Sequence, residues 1–170
     1  LDYFKDLADV QKSFRAFAAL SSNGVLANGD DPNVVEALKG TDYISFGLKE
    51  HNRIRAEHIS DWRHMDVTCD GAFYCHLDLQ VIGRHNALNA LAAIGAAWML
   101  GIPGEVAARG IATFTGAERR MQFKGKFNGA DVYDDYAHHP DELCATIEAV
   151  RTLDYKRLVV AFQPHTYTRT

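Results

Sequence analysis

The chain has 170 residues, 47% of them hydrophobic and 24% charged, so a packed core is feasible and disorder is not expected. Its net charge is -4 and it carries no basic run, which argues against nucleic acid as a partner. No apolar stretch is long enough to cross a bilayer, so membrane insertion is not expected.

Asp6 to Leu20 reads as a helix, with Leu7, Val10, Phe14 and Phe17 at helical spacing and Asp6 placed to cap the first turn. Gly24 to Asn28 is a short apolar run suited to a buried strand. Pro32 to Lys39 reads as a helix with proline near its start, and Thr41 to Phe46 is strand-like. From Asn52 to Leu79, β-branched and aromatic residues alternate with polar ones, broken at Ser60-Asp61 and Asp70-Gly71. This pattern predicts two or three antiparallel strands. A helix follows from Gly83-Arg84-His85-Asn86 to about Leu100, and its alanines and Gly95 predict close packing against a sheet. Pro103 begins another helix that ends near Thr113.

The apolar periodicity stops between Thr115 and Met121, which marks a domain junction. Beyond it, Gln122 to Phe127 and Ala130 to Asp134 are predicted strands joined at Asn128-Gly129, a strong two-residue hairpin signal. Pro140 to Thr152 reads as a helix with Leu143, Ile147 and Val150 on one face. Asp141 and Glu142 lie in its first turn, where the helix dipole favours them. Arg157 to Phe162 fits a buried parallel strand. Strand 130–134, helix 140–152 and strand 157–162 would then form a βαβ unit whose two following loops leave one edge of the sheet. Those loops, Asp135 to His139 and Gln163 to Arg169, hold an acid, two tyrosines, three histidines and an arginine. A purely structural loop does not need that chemistry, although His139 alone could simply cap the helix begun by Pro140. Cys69, Cys75 and Cys144 are odd in number and form no Cys-x-x-Cys pair. They are read as three reduced thiols of a cytoplasmic protein, with no disulfide and no metal site of their own.

At these residues the chain resembles a known family. Asp135-Tyr136-Ala137-His138-His139-Pro140, together with Phe162-Gln163-Pro164-His165-Thr166-Tyr167-Thr168-Arg169-Thr170, resembles the C-terminal domain of the Mur ligases. Gly83-Arg84-His85-Asn86-Ala87-Leu88-Asn89 resembles the end of their central ATPase domain. Asn28-Gly29-Asp30-Asp31-Pro32 and the stretch from Leu1 to Phe17 fit that same domain, and Glu118-Arg119-Arg120 fits the junction. The resemblance implies an α/β fold: part of a mostly parallel-sheet ATPase domain over residues 1–116, then the start of a Rossmann-like C-terminal domain over 117–170. It also implies a cytoplasmic enzyme of peptidoglycan precursor synthesis, using ATP and Mg2+ to join L-alanine to the lactyl carboxylate of UDP-N-acetylmuramate.

By the same resemblance, Asn86 and Asn89 contact adenine, Arg120 reaches the γ-phosphate, and Asp135 helps hold the nucleotide. Tyr136, His138, His165 and Arg169 line the amino-acid pocket, with Arg120 and His138 as the catalytic pair. The chemistry agrees. Residues i and i+3 at a helix start share a face, an amide offers both donor and acceptor to an adenine edge, and a guanidinium fork matches a carboxylate. One of the two asparagines could instead cap the helix.

The family's Gly-rich phosphate loop, its upstream magnesium ligands and its uridine-binding domain do not occur in these residues, and residue 1 is Leu rather than Met. The chain is therefore expected to be an internal piece, inactive alone, with most magnesium ligands outside it. Two other readings remain: a related Mur-type ligase acting on murein peptides or extending folate with glutamate, and a non-catalytic nucleotide-binding module.

Overall fold

The computed structural model describes residues 3–164. His165 and Arg169, assigned above to the amino-acid pocket, lie outside the described residues.

One sheet and four helices make the larger unit. Strands β1 (Leu26–Asn28), β2 (Ile44–Gly47), β3 (Ile54–Asp61), β4 (His64–Cys69) and β5 (Ala72–Asp78) form one sheet in sequential order. Pairing is parallel from β1 to β3 and antiparallel from β3 to β5, so the sheet is mixed. Helices α1 (Leu7–Ala18) and α2 (Pro32–Ala37) precede and follow β1. Helix α3 (Arg84–Met99) packs across β1 to β4, and α4 (Gly104–Ala112) packs against β5 and α3. The core lies between α3 and the sheet, where Ile54, Met65, Val67, Leu77, Leu91 and Ile94 are fully buried. Each such side chain contributes about 1.5–3 kcal/mol by leaving water.

The close packing of α3 has a local cause. A Cβ at Gly95 would stand 2.8 Å from Ile54 Cδ1 and 2.9 Å from Leu26 Cδ1, so a side chain there would have to displace those methyl groups. Helix α1 is capped as expected: the Asp6 side chain accepts the Asp9 amide at 2.9 Å. Its apolar stripe is not buried, however. Leu7, Phe14 and Phe17 are all more than half exposed and stand over an apolar cleft, because α1 packs against α2 rather than on the sheet.

The loops after β1 and β2 are tied together by Asp30. Its carboxylate accepts the Leu48 amide at 2.7 Å and the Asn52 side-chain amide at 2.7 Å. Burial pushes the Asp30 carboxyl up, but these donors, with the Lys49 amide, outweigh it and hold the group below the usual carboxylate range.

The second unit is smaller. Strands β6 (Gln122–Phe127) and β7 (Ala130–Asp134) form an antiparallel hairpin, followed by helix α5 (Pro140–Val150). Asn128 and Gly129 have φ of 48° and 83°, the left-handed pair that a tight hairpin turn requires. Helix α5 rests on the start of α3, where a Cβ on Gly83 would come within 2.7 Å of Ala149 Cβ.

The expected strand at 157–162 does not form. The segment is irregular, and Val159, Val160 and Phe162 are exposed. Among the described residues β7 pairs only with β6, so the βαβ unit is not closed. A buried parallel strand needs neighbours that satisfy its backbone groups and cover its side chains. The described residues supply none for this segment.

Candidate functional site

A cleft of about 760 Å³ opens where the two units meet. Its walls include Asn86 and Asn89 from the first turns of α3, Arg120 from the junction, Asp135 from the end of β7 and Glu142 from α5. The four residues expected to hold the nucleotide thus share one cavity. Tyr136 and His138 are not among its lining residues.

Asn86 does not cap its helix; Gly83 occupies the N-cap position. The Asn86 amide donates to the Ile82 carbonyl at 2.8 Å, which fixes the side chain and leaves its oxygen and one N–H for a ligand. Asn89 is exposed, one turn further on. His85 lines the same cleft. Burial pulls its pKa below the ordinary value, Asp135 pulls it back up, and Arg120 lowers it again. The ring therefore senses both charged members of the cleft.

The junction is built around Arg120. Its neighbours Arg119 and Met121 have φ of 57° and 46°, a conformation costly for side-chain-bearing residues. Backbone bonds hold it in place. Tyr136 N–H donates to Arg119 C=O at 2.7 Å, Met121 N–H to Asp135 Oδ2 at 2.9 Å, and Arg119 N–H to Gln122 Oε1 at 3.0 Å. Asp135 Oδ1 also accepts the Ala137 amide at 2.7 Å, so this carboxylate staples the junction to the loop after β7 before it meets any ligand. Arg120 Nη2 stands 3.6 Å from Glu142 Oε1.

Around the rim, the Arg119 guanidinium lies 4.5 Å over the Tyr136 ring, and Tyr136 meets His138 edge-on at 5.3 Å. His138 Nδ1 is 3.0 Å from the Tyr136 carbonyl. A carbonyl can only accept, so Nδ1 carries the hydrogen and Nε2 of the neutral ring keeps its lone pair. Glu142 Oε2 accepts the amides of His138 and His139 at 3.1 and 3.3 Å, and the His139 ring caps α5 through the Asp141 amide. The capping role of His139 is thus the structural one.

Sequence reasoning passed over three residues here: His85, Arg119 and Glu142. The first falls on the same helical face as Asn86 and Asn89. The last sits three residues after His139, the spacing of a capping box, in the first turn where the helix dipole also favours it. Nothing in the sequence announces that it also meets Arg120. Among the described residues no three His, Cys, Asp or Glu side chains stand together as a metal ion needs. The described residues alone do not fit a resident magnesium ion.

Two family models match the chain: Mur ligase middle domain over residues 1–97, and Mur ligase, glutamate ligase domain over residues 119–169. Among curated proteins, UDP-N-acetylmuramate--L-alanine ligase of Caldanaerobacter subterraneus subsp. tengcongensis is 39% identical, with 100% of this chain and 39% of the relative covered. The same-named protein of Clostridium novyi is 41% identical, with 100% and 38% covered. Among solved structures, UDP-N-acetylmuramate-alanine ligase from Thermotoga maritima is similar with a TM-score of 0.72 at 26% identity, covering 86% of this chain and 34% of that one. The chain spans about 39% of the length of the first of these relatives.

Proposed function

The chain belongs to the Mur ligase family, and from that premise we propose that the protein carrying it joins L-alanine to UDP-N-acetylmuramate at the expense of ATP. The observation that supports this most is the cleft that gathers Asn86, Asn89, Arg120 and Asp135 between α3 and the junction. Its donor set suits ATP: amides for the adenine edge and a guanidinium for a phosphate. Residues 1–116 then belong to the ATP-binding domain and 117–170 to the domain that brings the amino acid, in a cytoplasmic enzyme.

In the reaction, a lactyl carboxylate oxygen attacks the γ-phosphorus, the bond to the β-phosphate oxygen breaks, and ADP leaves. The amine of L-alanine then attacks the acyl phosphate carbon, and the tetrahedral intermediate expels phosphate to leave the amide. Arg120 offsets charge on the transferring phosphoryl group, the usual source of most rate enhancement in such steps. His138, with Nε2 unprotonated in the neutral ring, takes a proton from the attacking amine. Tyr136, His165 and Arg169 orient the amino acid, the last through its carboxylate. A magnesium ion would supply further charge stabilisation, with most of its ligands outside this chain.

The test is ADP release by the full-length protein given UDP-N-acetylmuramate, ATP and an amino donor. L-Alanine should support it. Release that does not depend on L-alanine, or that proceeds faster when glutamate replaces it or when a murein tripeptide does, would reject this assignment.

A further inference from the structure

Glu142 is bonded in two directions. One oxygen, Oε2, is committed to the backbone amides of His138 and His139. The other, Oε1, faces Arg120 Nη2 at 3.6 Å inside the same cleft. We propose that Glu142 is a positioning residue that holds Arg120 on the cleft wall until a nucleotide phosphate takes over the guanidinium.

The proposal rests on the ATP-dependent reading above and adds a competition to it. The backbone around Arg120 is not free to move, since Arg119 and Met121 are held in the left-handed region by bonds to Tyr136 and Asp135. The side chain is the part that can change partner, and it is about half exposed at 53%. Arg120 has its ion pair with Glu142, while the two oxygens of Asp135 each accept a backbone amide of the turn. Glu142 remains charged at neutral pH: the His138 amide, before all, draws its carboxyl below the ordinary range against a smaller burial effect, with help from His139, the His138 ring and Arg120. An exposed pair of this kind is worth at most about 1 kcal/mol. A triphosphate offers more charge and paired oxygens to the guanidinium fork. Exchange is therefore downhill, yet the carboxylate still lowers apparent ATP affinity by occupying the arginine in the empty enzyme.

The decisive experiment measures the KM for ATP in four full-length proteins: wild type, Glu142→Gln, Arg120→Gln and the double variant. Glutamine keeps an oxygen for the His138 and His139 amides and removes only the charge. Glu142→Gln should lower the KM by roughly two- to fivefold, the span an exposed ion pair provides, and should have no such effect in the Arg120→Gln background. A KM that rises, stays unchanged, or shifts equally in both backgrounds would overturn the proposal while leaving the ligase reading intact. Unchanged KM and kcat in Arg120→Gln would instead remove the phosphate role of Arg120 and the proposal with it. Should Glu142→Gln fail to fold, the wild-type protein answers by NMR. The Arg120 Nε–H resonance, assigned by its loss in Arg120→Gln, should shift on adding ATP, and an unmoved resonance at saturating ATP would overturn the exchange.

Discussion

The Asp135 carboxylate accepts the backbone N–H of Met121 at 2.9 Å, and that bond joins the end of β7 to a turn that precedes the hairpin. The same side chain takes the Ala137 amide. A charged acceptor shared by two backbone donors, beside two residues in the left-handed region, is what keeps Arg120 at the cleft.

Asp135→Ala should therefore destabilise the protein by about 1–3 kcal/mol, the cost of leaving such donors unpaired, and Asp135→Asn should recover part of it. Urea unfolding measures this. An alanine variant as stable as wild type would mean that the turn is held by other bonds.

His85 provides a probe of the cleft that needs no ligand. Burial, the largest influence, lowers its pKa; Asp135 raises it and Arg120 lowers it. The NMR midpoint of its ring should fall below the ordinary value near ~6.5, and Arg120→Gln should move it upward. The sign for stability follows. A histidine with a lowered folded pKa favours the neutral form, so its contribution is present above the unfolded pKa and is lost as pH falls through that value toward the folded one. A midpoint above the ordinary value would show that the ring is not buried against Arg120.

The thiols separate by burial. Desolvation pushes Cys69 up to about 12 and Cys75 up to about 11, while Cys144 is exposed. Only thiolates react quickly with disulfide reagents. In the folded protein Cys144 should be labelled first, and Cys69 and Cys75 only after denaturant is added. Rapid native labelling of Cys75 would contradict the packing of β5.

Much of this architecture was legible in local pattern. Asn128-Gly129 and Asp70-Gly71 each announce a turn whose left-handed residues the structure contains. The small residues of α3 announce a helix pressed onto a sheet, and Gly95 lies where a side chain would strike Ile54. Tertiary partners were less legible. The parallel pairing of Phe46 with Ile54 had no signal in the local pattern, because nothing local encodes a neighbour reached across a loop. Residues 157–162 have the composition of a buried strand, but composition cannot supply adjacent strands. In the cleft, the family resemblance pointed to Asn86, Asn89, Arg120 and Asp135. The pairing of Arg120 with Glu142 depends on how α5 docks, which no spacing rule reports.

Two glycines in one helix should respond oppositely to alanine. At Gly104, the first residue of α4, a Cβ would stand 2.0 Å from the Tyr74 carbonyl oxygen. That oxygen is a main-chain atom of β5, where Tyr74 is the extra residue between the pairs Val67 with Cys75 and Thr68 with Phe73, and a backbone atom steps aside less cheaply than the end of a side chain. Gly104→Ala should cost about 1–3 kcal/mol, as overpacking against a fixed wall does. At Gly110, later in the same helix, a Cβ meets nothing within 4 Å. There alanine removes only the excess freedom of the unfolded chain and should stabilise by about 0.5–1 kcal/mol. The two variants share a helix, so a general change in α4 would move both urea midpoints the same way. Midpoints that move apart, downward for Gly104→Ala and upward for Gly110→Ala, verify that α4 is seated on the Tyr74 backbone. A Gly104→Ala variant as stable as wild type would show that the helix stands further from β5 than described here.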